Sequence, residues 1–390
     1  MIKTTPRVAA AALAILALTS AGSAMAQLKV GISLSTTGPA ASLGIPEKNT
    51  VTLFPKEIAG QKVEYIVLDD ASDPSVATKN ARRFVDEDKV DVIIGSTISP
   101  NSLAMIDAAA ERGTPMVSIA GASRIVEPMD AKRKWVFKTP QHDSLMAAGI
   151  IEHFARTGGK ALAVIAQSDA YGDGWLAELQ RFAAERGVRI AAVERYNRAD
   201  TSVTAQALKV MSAKPEGVVI VGAGTPAALP QKTLRERGYS GPIFQTHGVA
   251  NNDFLRVGGK DVDGTILPAG PVLVASQLPD SEVKNVAMDY VRRYEEVFGK
   301  DTVTTFGAHA WDAMLLVRNA VPTALAKAKP GSPEFRSALR DALEGTKDLT
   351  VSHGVMTMGP NDHNGMDARS RVMVTIDKGR WTIIAAQGAR

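Results

Sequence analysis

The chain contains no cysteine. That excludes a disulfide framework, a thiolate metal site and a cysteine nucleophile, and with them the lipid-bearing cysteine that tethers some exported bacterial proteins to a membrane. Long apolar runs are also scarce. The one candidate, Val8 to Leu18, follows Lys3 and Arg7 and precedes the small triplet Ala24-Met25-Ala26. It is shorter than the roughly 20 residues a membrane span needs and reads as a secretory leader over residues 1–26, cleaved after Ala26. An organelle-targeting peptide fits poorly, because the segment has only two basic residues beside a solid apolar block. The expectation is a soluble protein of the periplasm. Neither sign of charge dominates: 45 Lys and Arg face 41 Asp and Glu, and two of the basic residues fall in the leader. With no Lys/Arg cluster interleaved with aromatics, nucleic acid and anionic membranes are not expected partners.

Beyond the leader, short apolar segments alternate with helix-length ones. Strand-like pieces are Lys29 to Leu34, Val63 to Leu68, Val90 to Ile94, Pro115 to Ile119, Ala161 to Ala166, Gly217 to Val221 and Pro242 to Phe244. They are rich in Val and Ile and mostly bounded by Gly, Pro, Asp or Ser. Between them, Val76 to Asp88, Ser102 to Arg112, Ser144 to Thr157 and Trp175 to Arg186 carry apolar residues at helical spacing. This rhythm predicts parallel sheets with crossover helices on both faces. Asp73 before Pro74, and Ser99 before Pro100, read as helix caps. Interruptions near 121–144, within which Lys134 to Thr139 reads as one more extended segment, and at Gly264 to Ala275 divide the pattern into two α/β lobes linked by several crossings. Long helices follow over Asp280 to Phe298, Thr305 to Leu325 and Pro333 to Leu343. The tail ends in extended pieces, Arg371 to Ile376 and Trp381 to Ala385, joined by a turn at Asp377-Lys378-Gly379.

Catalytic signatures are missing as well: there is no G-x-S-x-G elbow, no Walker loop and no H-E-x-x-H helix. The six histidines, at 142, 153, 247, 309, 353 and 363, form no i, i+4 pair. A metal site, a cofactor and an enzymatic role are therefore not expected. Gly222 to Ala227 imitates a dinucleotide fingerprint but sits in mid-chain, contains Pro226 and has no acidic residue at the end of the next strand. It reads better as a ligand-facing turn.

In parallel α/β sheets, ligands bind beyond the carboxyl ends of strands, where strand order reverses. Those ends are Thr36-Thr37-Gly38, Ser96 to Ser102, Gly121-Ala122-Ser123, Ser168 to Tyr171, Gly224-Thr225 and Thr246-His247. Hydroxyls and small residues beside helix N-termini suit a carboxylate, to which backbone N–H and Ser O–H groups donate. Ser99 and Ser123 as simple helix caps is the competing reading.

The stretches KVGISLSTTGPAASLG (29–44), VLDDASDPSVATKNARRFVDEDKVDVIIGS (67–96), SIAGAS (118–123), SDAYGDGW (168–175) and QTHGV (245–249) carry a resemblance in their order and spacing. From Leu28 almost to its end the chain resembles the leucine/isoleucine/valine-binding family, the type I periplasmic solute-binding proteins of ABC importers. The resemblance implies two doubly wound parallel-sheet lobes joined by three crossovers, with a ligand cleft between them. The lobes would comprise 27–140 with 272–355 and 141–271 with 356–390. It implies a monomer that delivers a small ligand to an ABC permease in the inner membrane.

Carried over by motif, Ser99 holds the ligand carboxylate, and Gly121, Ala122 and Ser123 supply N–H and hydroxyl groups to it. Tyr171 closes over the ligand. Leu43 stands where amino-acid binders place an aromatic wall, and Thr225, or neighbouring Gly224, occupies an expected tyrosine position. His247 stands where they place a glutamate for the ligand ammonium. A buried ammonium without its carboxylate costs several kcal/mol, whereas histidine can donate to an oxygen. The favoured ligand is thus an acid without an ammonium, such as an aromatic acid or an aryl 2-oxo acid, and a branch of the family that takes such acids has a similar QTHG segment. Three alternatives stay open on the residues alone: an amino-acid binder whose ammonium meets another group, a periplasmic enzyme with His247 as general base, and a sensory receptor module.

Overall fold

The computed structural model of the chain describes residues 27–384; the expected leader over 1–26, and Ala385 of the last expected strand, lie outside the described residues. Two sheets dominate. The first contains β1 (Leu28–Leu34), β2 (Glu57–Ile58), β3 (Gln61–Asp69), β4 (Val92–Gly95), β5 (Met116–Ser118) and β6 (Val136–Lys138), in the order β2-β3-β1-β4-β5-β6. The second contains β7 (Ala161–Gln167), β8 (Arg189–Tyr196), β9 (Gly217–Val221), β10 (Ile243–Gln245) and β11 (Ile266–Ala269), and is completed by β14 (Val372–Asp377) and β15 (Arg380–Ile383). Its order is β8-β7-β9-β10-β11-β14-β15. A small hairpin, β12 (Leu349–Val351) with β13 (Gly354–Met356), stands apart. Leaving aside the antiparallel β2, β14 and β15, each sheet is parallel and runs second, first, third, fourth, fifth strand. Strand order therefore reverses at β1/β4 and at β7/β9, and at each of those points a crevice opens beyond the strand ends.

Alternation along the strands builds the layers. Val92 and Ile94 of β4 join Val30 and Ile32 in one core with Met314, Leu316 and Val317 of the helix Thr305–Leu325. Ile93 points the other way, into a core with Phe84, Met105 and Ala109. Gly31 lies under that second core: a Cβ there would sit 2.6 Å from the Phe84 ring. The Asp73 cap is as expected, its carboxylate accepting the Ser75 N–H (2.7 Å) and Val76 N–H (3.3 Å) ahead of Pro74. At Lys378 and Gly379, φ values of 49° and 72° close the β14–β15 hairpin in the left-handed conformation that the right-handed twist of the strands favours.

Several expectations need correction. β8 has no counterpart among the expected strands, because it is a half-buried sheet edge carrying Glu194 and Arg195 and so reads as solvated surface. Residues 133–135 form a helical turn, leaving only 136–138 extended. Ser99 is the first residue of its helix, Ser99–Glu111, and does not cap it. The segment 356–364, assigned above to the second lobe, packs on the first: Met356 and Met358 join the β1 core, and the Asn364 side-chain amide donates to Lys138 O and Pro140 O.

Three chain crossings join the sheets, and they touch one another. Gln141 Nε2 donates to Ser370 O (2.8 Å), tying the first crossing to the third. Gly270, on the second, leaves no room for a Cβ against His353 Cδ2. Replacing Gly31 by Ala is expected to cost about 1–3 kcal/mol through overpacking against Phe84; equilibrium urea denaturation measures it, and an unchanged midpoint would contradict this account.

Candidate functional site

Between the sheets lies a cleft at the two points of strand-order reversal, the place where open α/β sheets take small molecules. The first lobe contributes Leu43, the β4 loop Thr97-Ile98-Ser99, Ile119, Gly121 and Pro140, and also Phe306 and His309 from the helix Thr305–Leu325. The second lobe contributes Tyr171, Arg198, Ala223, His247 and Gly248. Of the expected residues, Leu43, Ser99, Gly121, Tyr171 and His247 converge here. A Cβ on Gly121 would stand 3.0 Å from Tyr171 Cε2 and 3.2 Å from His247 Nε2, so the lobes meet across this glycine.

The polar groups are held in defined roles. Ser99 Oγ accepts the Ala122 N–H (3.1 Å), which leaves its own hydrogen free to donate into the cleft. Tyr171 is brought in by a helix start at which Asp169 accepts the Tyr171 and Gly172 N–H groups. Its hydroxyl donates to Thr246 Oγ1 (2.9 Å), which donates in turn to Gly222 O (2.8 Å). Burial holds the Tyr171 hydroxyl far above the usual phenol range, so it stays neutral. His247 packs edge-on to Tyr171 and against Trp175, and its buried Nδ1 has no partner among the described residues. Burial first, then the nearby Lys138 and His353, push His247 down to about 3. It is thus a neutral donor and acceptor at neutral pH. His309 is pushed well down by burial first, then by His353, His247 and Lys138.

Three expected residues do not line the cleft. Ser123 opens a helical turn that rotates its hydroxyl toward His142 Nδ1 (3.1 Å) and the Asp143 N–H (3.3 Å), so it anchors the start of the helix Asp143–Arg156 and lines a neighbouring, wider groove. Thr225 opens a turn after Gly224, whose φ of 73° leaves Gly224 itself facing Ser42 and Leu43. Ala122 sits fully buried directly behind Ser99.

Sequence reasoning missed Arg198, Phe306 and His309. Arg198 is 13% exposed and donates to Ala223 O (2.9 Å) and Asp169 Oδ2 (3.3 Å). It follows β8, so recognising that edge strand would have flagged it as a strand-end residue. The two helix residues had no such signal, since their helix follows the second sheet in sequence and returns to the first in space. His309 stacks on His353 (3.8 Å, 12°), whose Nδ1 bonds Asp312 Oδ2 (2.8 Å). These three side chains are near enough to share a cation. The face-to-face stacking keeps the nitrogen lone pairs of the two rings in near-parallel planes, and as they stand the groups serve a hydrogen-bonded pair with a stacked neighbour.

Residues 27–380 match the family described as periplasmic binding protein. The chain belongs to that family. Within it, a leucine-, isoleucine-, valine-, threonine- and alanine-binding protein of Pseudomonas aeruginosa is 24% identical over 263 residues, 66% of this chain and 70% of that one. An extracellular ligand-binding receptor from Rhodopseudomonas palustris HaA2 is 47% identical with a TM-score of 0.90, covering 92% of this chain and all of that one. A solute-binding protein of an ABC transporter from R. palustris, solved with benzoate, shares the fold at 20% identity and TM-score 0.78, covering 92% and 95%. The two-lobed α/β architecture is that of the type I periplasmic binding proteins.

A histidine whose folded value lies below its ordinary 6.5 binds fewer protons in the native state than in the unfolded one. Stability is therefore lost as the pH falls from about 6.5 toward about 3, with a slope of up to about 1.4 kcal/mol per pH unit. His247→Gln is expected to lose less stability than the wild type between pH 7 and pH 5, measured as urea midpoints. An identical loss in both proteins would refute the buried, neutral His247.

Proposed function

We propose that this periplasmic binding protein is the non-enzymatic solute receptor of an ABC importer, which captures a small carboxylic acid between its lobes and presents it to a permease. The favoured ligand is an aromatic acid or an aryl 2-oxo acid. One observation carries this reading: among the described residues lining the cleft there is no Asp or Glu, while Arg198 supplies a cation and Ser99, Tyr171, His247 and His309 supply neutral polar groups. An ammonium entering this cleft would lose its water without gaining a counter-charge, at a cost of several kcal/mol. A carboxylate gains the Ser99 hydroxyl, which is held from behind by the Ala122 N–H, in a charge-assisted bond contributing about 1.5–3 kcal/mol. Leu43, Ile98, Ile119, Pro140 and Phe306 form apolar walls for the body of the acid. The benzoate-bound relative indicates that the fold accepts such an acid.

The names of the curated relatives favour a second reading, a branched-chain amino-acid binder. Thermal-shift measurements with benzoate, hydroxybenzoates, phenyl 2-oxo acids, leucine and valine separate the two. The aromatic acids are expected to raise the melting temperature and leucine to leave it unchanged; strong stabilisation by leucine alone would overturn the favoured ligand. Ligand recovered unchanged after denaturation is expected of a carrier, and recovery of a product would indicate an enzyme. Ser99→Ala is expected to weaken the stabilising acid tenfold or more in isothermal titration, corresponding to loss of one bond to a charged group.

A further inference from the structure

Lys138, at the end of β6, is fully buried, yet no carboxylate touches it. Its ammonium donates all three hydrogens to backbone carbonyls: Gly121 O (2.9 Å), Pro140 O (2.8 Å) and Gln141 O (3.0 Å). Two of those residues, Gly121 and Pro140, line the cleft. The charge therefore lies one peptide thickness behind the cleft wall. Its field reaches across, since it pushes both His247 and His309 away from their protonated forms.

The peptide between Gly121 and Ala122 links this charge to the site. In a trans peptide the C=O and the N–H point in opposite directions. Here the Gly121 C=O accepts from Lys138, and the Ala122 N–H on the other side donates to Ser99 Oγ. An ammonium on the carbonyl draws electron density from the N–H, which polarises the serine hydroxyl in turn, and such chains strengthen each member. The last free hydrogen in the series is that of Ser99, at the cleft surface.

We infer that Lys138 is the counter-charge for the ligand carboxylate, acting through the Gly121–Ala122 peptide and the Ser99 hydroxyl and so selecting an anion over its neutral isostere without touching it. This makes Lys138 a positioning and selectivity residue. The inference rests on the carboxylate reading above, though not on its aromatic part, since an amino acid would bring the same group. The titratable side chains around Lys138 are Asp143 and His142 on the following helix, Glu127 on the 123–128 loop, Asp362 on the 356–364 segment, and the cleft imidazoles His247 and His309. None of them is hydrogen-bonded to the ammonium.

The test compares each acid with its amide: benzoate with benzamide, and leucine with leucinamide, by isothermal titration at pH 7. Lys138→Gln keeps a donor for the carbonyls and removes the charge. It is expected to weaken the acid at least tenfold and the amide less than threefold. Equal weakening of acid and amide, or no weakening of either, would overturn the role of Lys138 while leaving the carboxylate reading intact. A wild type that binds neither acid more tightly than its amide would overturn both. Binding of leucine and not of benzoate would remove only the aromatic part, and the leucine pair then reads the effect.

A second arm uses the wild type alone and so does not depend on the variant folding. Burial lowers the Lys138 ammonium to about 8 and raises the neighbouring Asp143 carboxyl to about 7, so above pH 7.5 the larger change of charge behind the cleft is the loss of the Lys138 proton. Acid affinity is expected to fall severalfold from pH 7.5 to 9.5 with amide affinity unchanged. A flat acid-to-amide ratio across that window would overturn the inference.

Discussion

A parallel sheet buried on both faces leaves only its strand ends to meet a ligand. In this chain β1, β4 and β5 are covered on one side by the helix Thr305–Leu325 and on the other by the Phe84 and Met105 layer, and β7 and β9 likewise lie between two cores. The backbone of those strands is paired with its neighbours in the ladder, so recognition falls to the loops beyond their carboxyl ends. Because both sheets have the same strand order, each opens a crevice at one reversal point, and the three touching crossings hold the two crevices face to face. The cleft is the product of that constraint applied twice.

The chemistry inside it is that of donors without exposed anions. His247 and His309 are held neutral by burial, Tyr171 is fixed to Thr246, Arg198 stands at the wall paired with Asp169 outside the lining, and the Lys138 ammonium lies one peptide behind the wall. An anion entering such a place exchanges water for prepositioned dipoles, while a cation finds nothing to replace its hydration. On the proposed reading, the sign of the ligand's charge is selected by what surrounds the cavity more than by any single contact.

The helix and strand rhythm was readable along most of the chain because its parallel strands are near-continuous Val/Ile runs set off by helices at a different period. Where reading failed, the reasons are specific. β8 is an edge, so its charged Glu194 and Arg195 hide it, and with it went Arg198. The segment 356–364 looks like part of the second lobe in linear order, yet Met358 and Asn364 pack on the first. Ser99 resembles a helix cap, but its hydroxyl is turned to the Ala122 N–H by a partner 23 residues away, which no local pattern can announce.

Motif and strand-end logic by themselves determined the α/β class, the likeness to the solute-binding family and five residues that do converge: Leu43, Ser99, Gly121, Tyr171 and His247. These are local facts, since a strand end and its loop are contiguous in the chain. Tertiary structure alone decided that the Ser123 hydroxyl turns to His142, that Thr225 is not part of the cleft lining, that Phe306 and His309 join the wall, and that Lys138 lies behind Gly121. A side chain's direction and its distant neighbours depend on how two sheets and their crossings pack, and that information is spread over residues up to hundreds of positions apart.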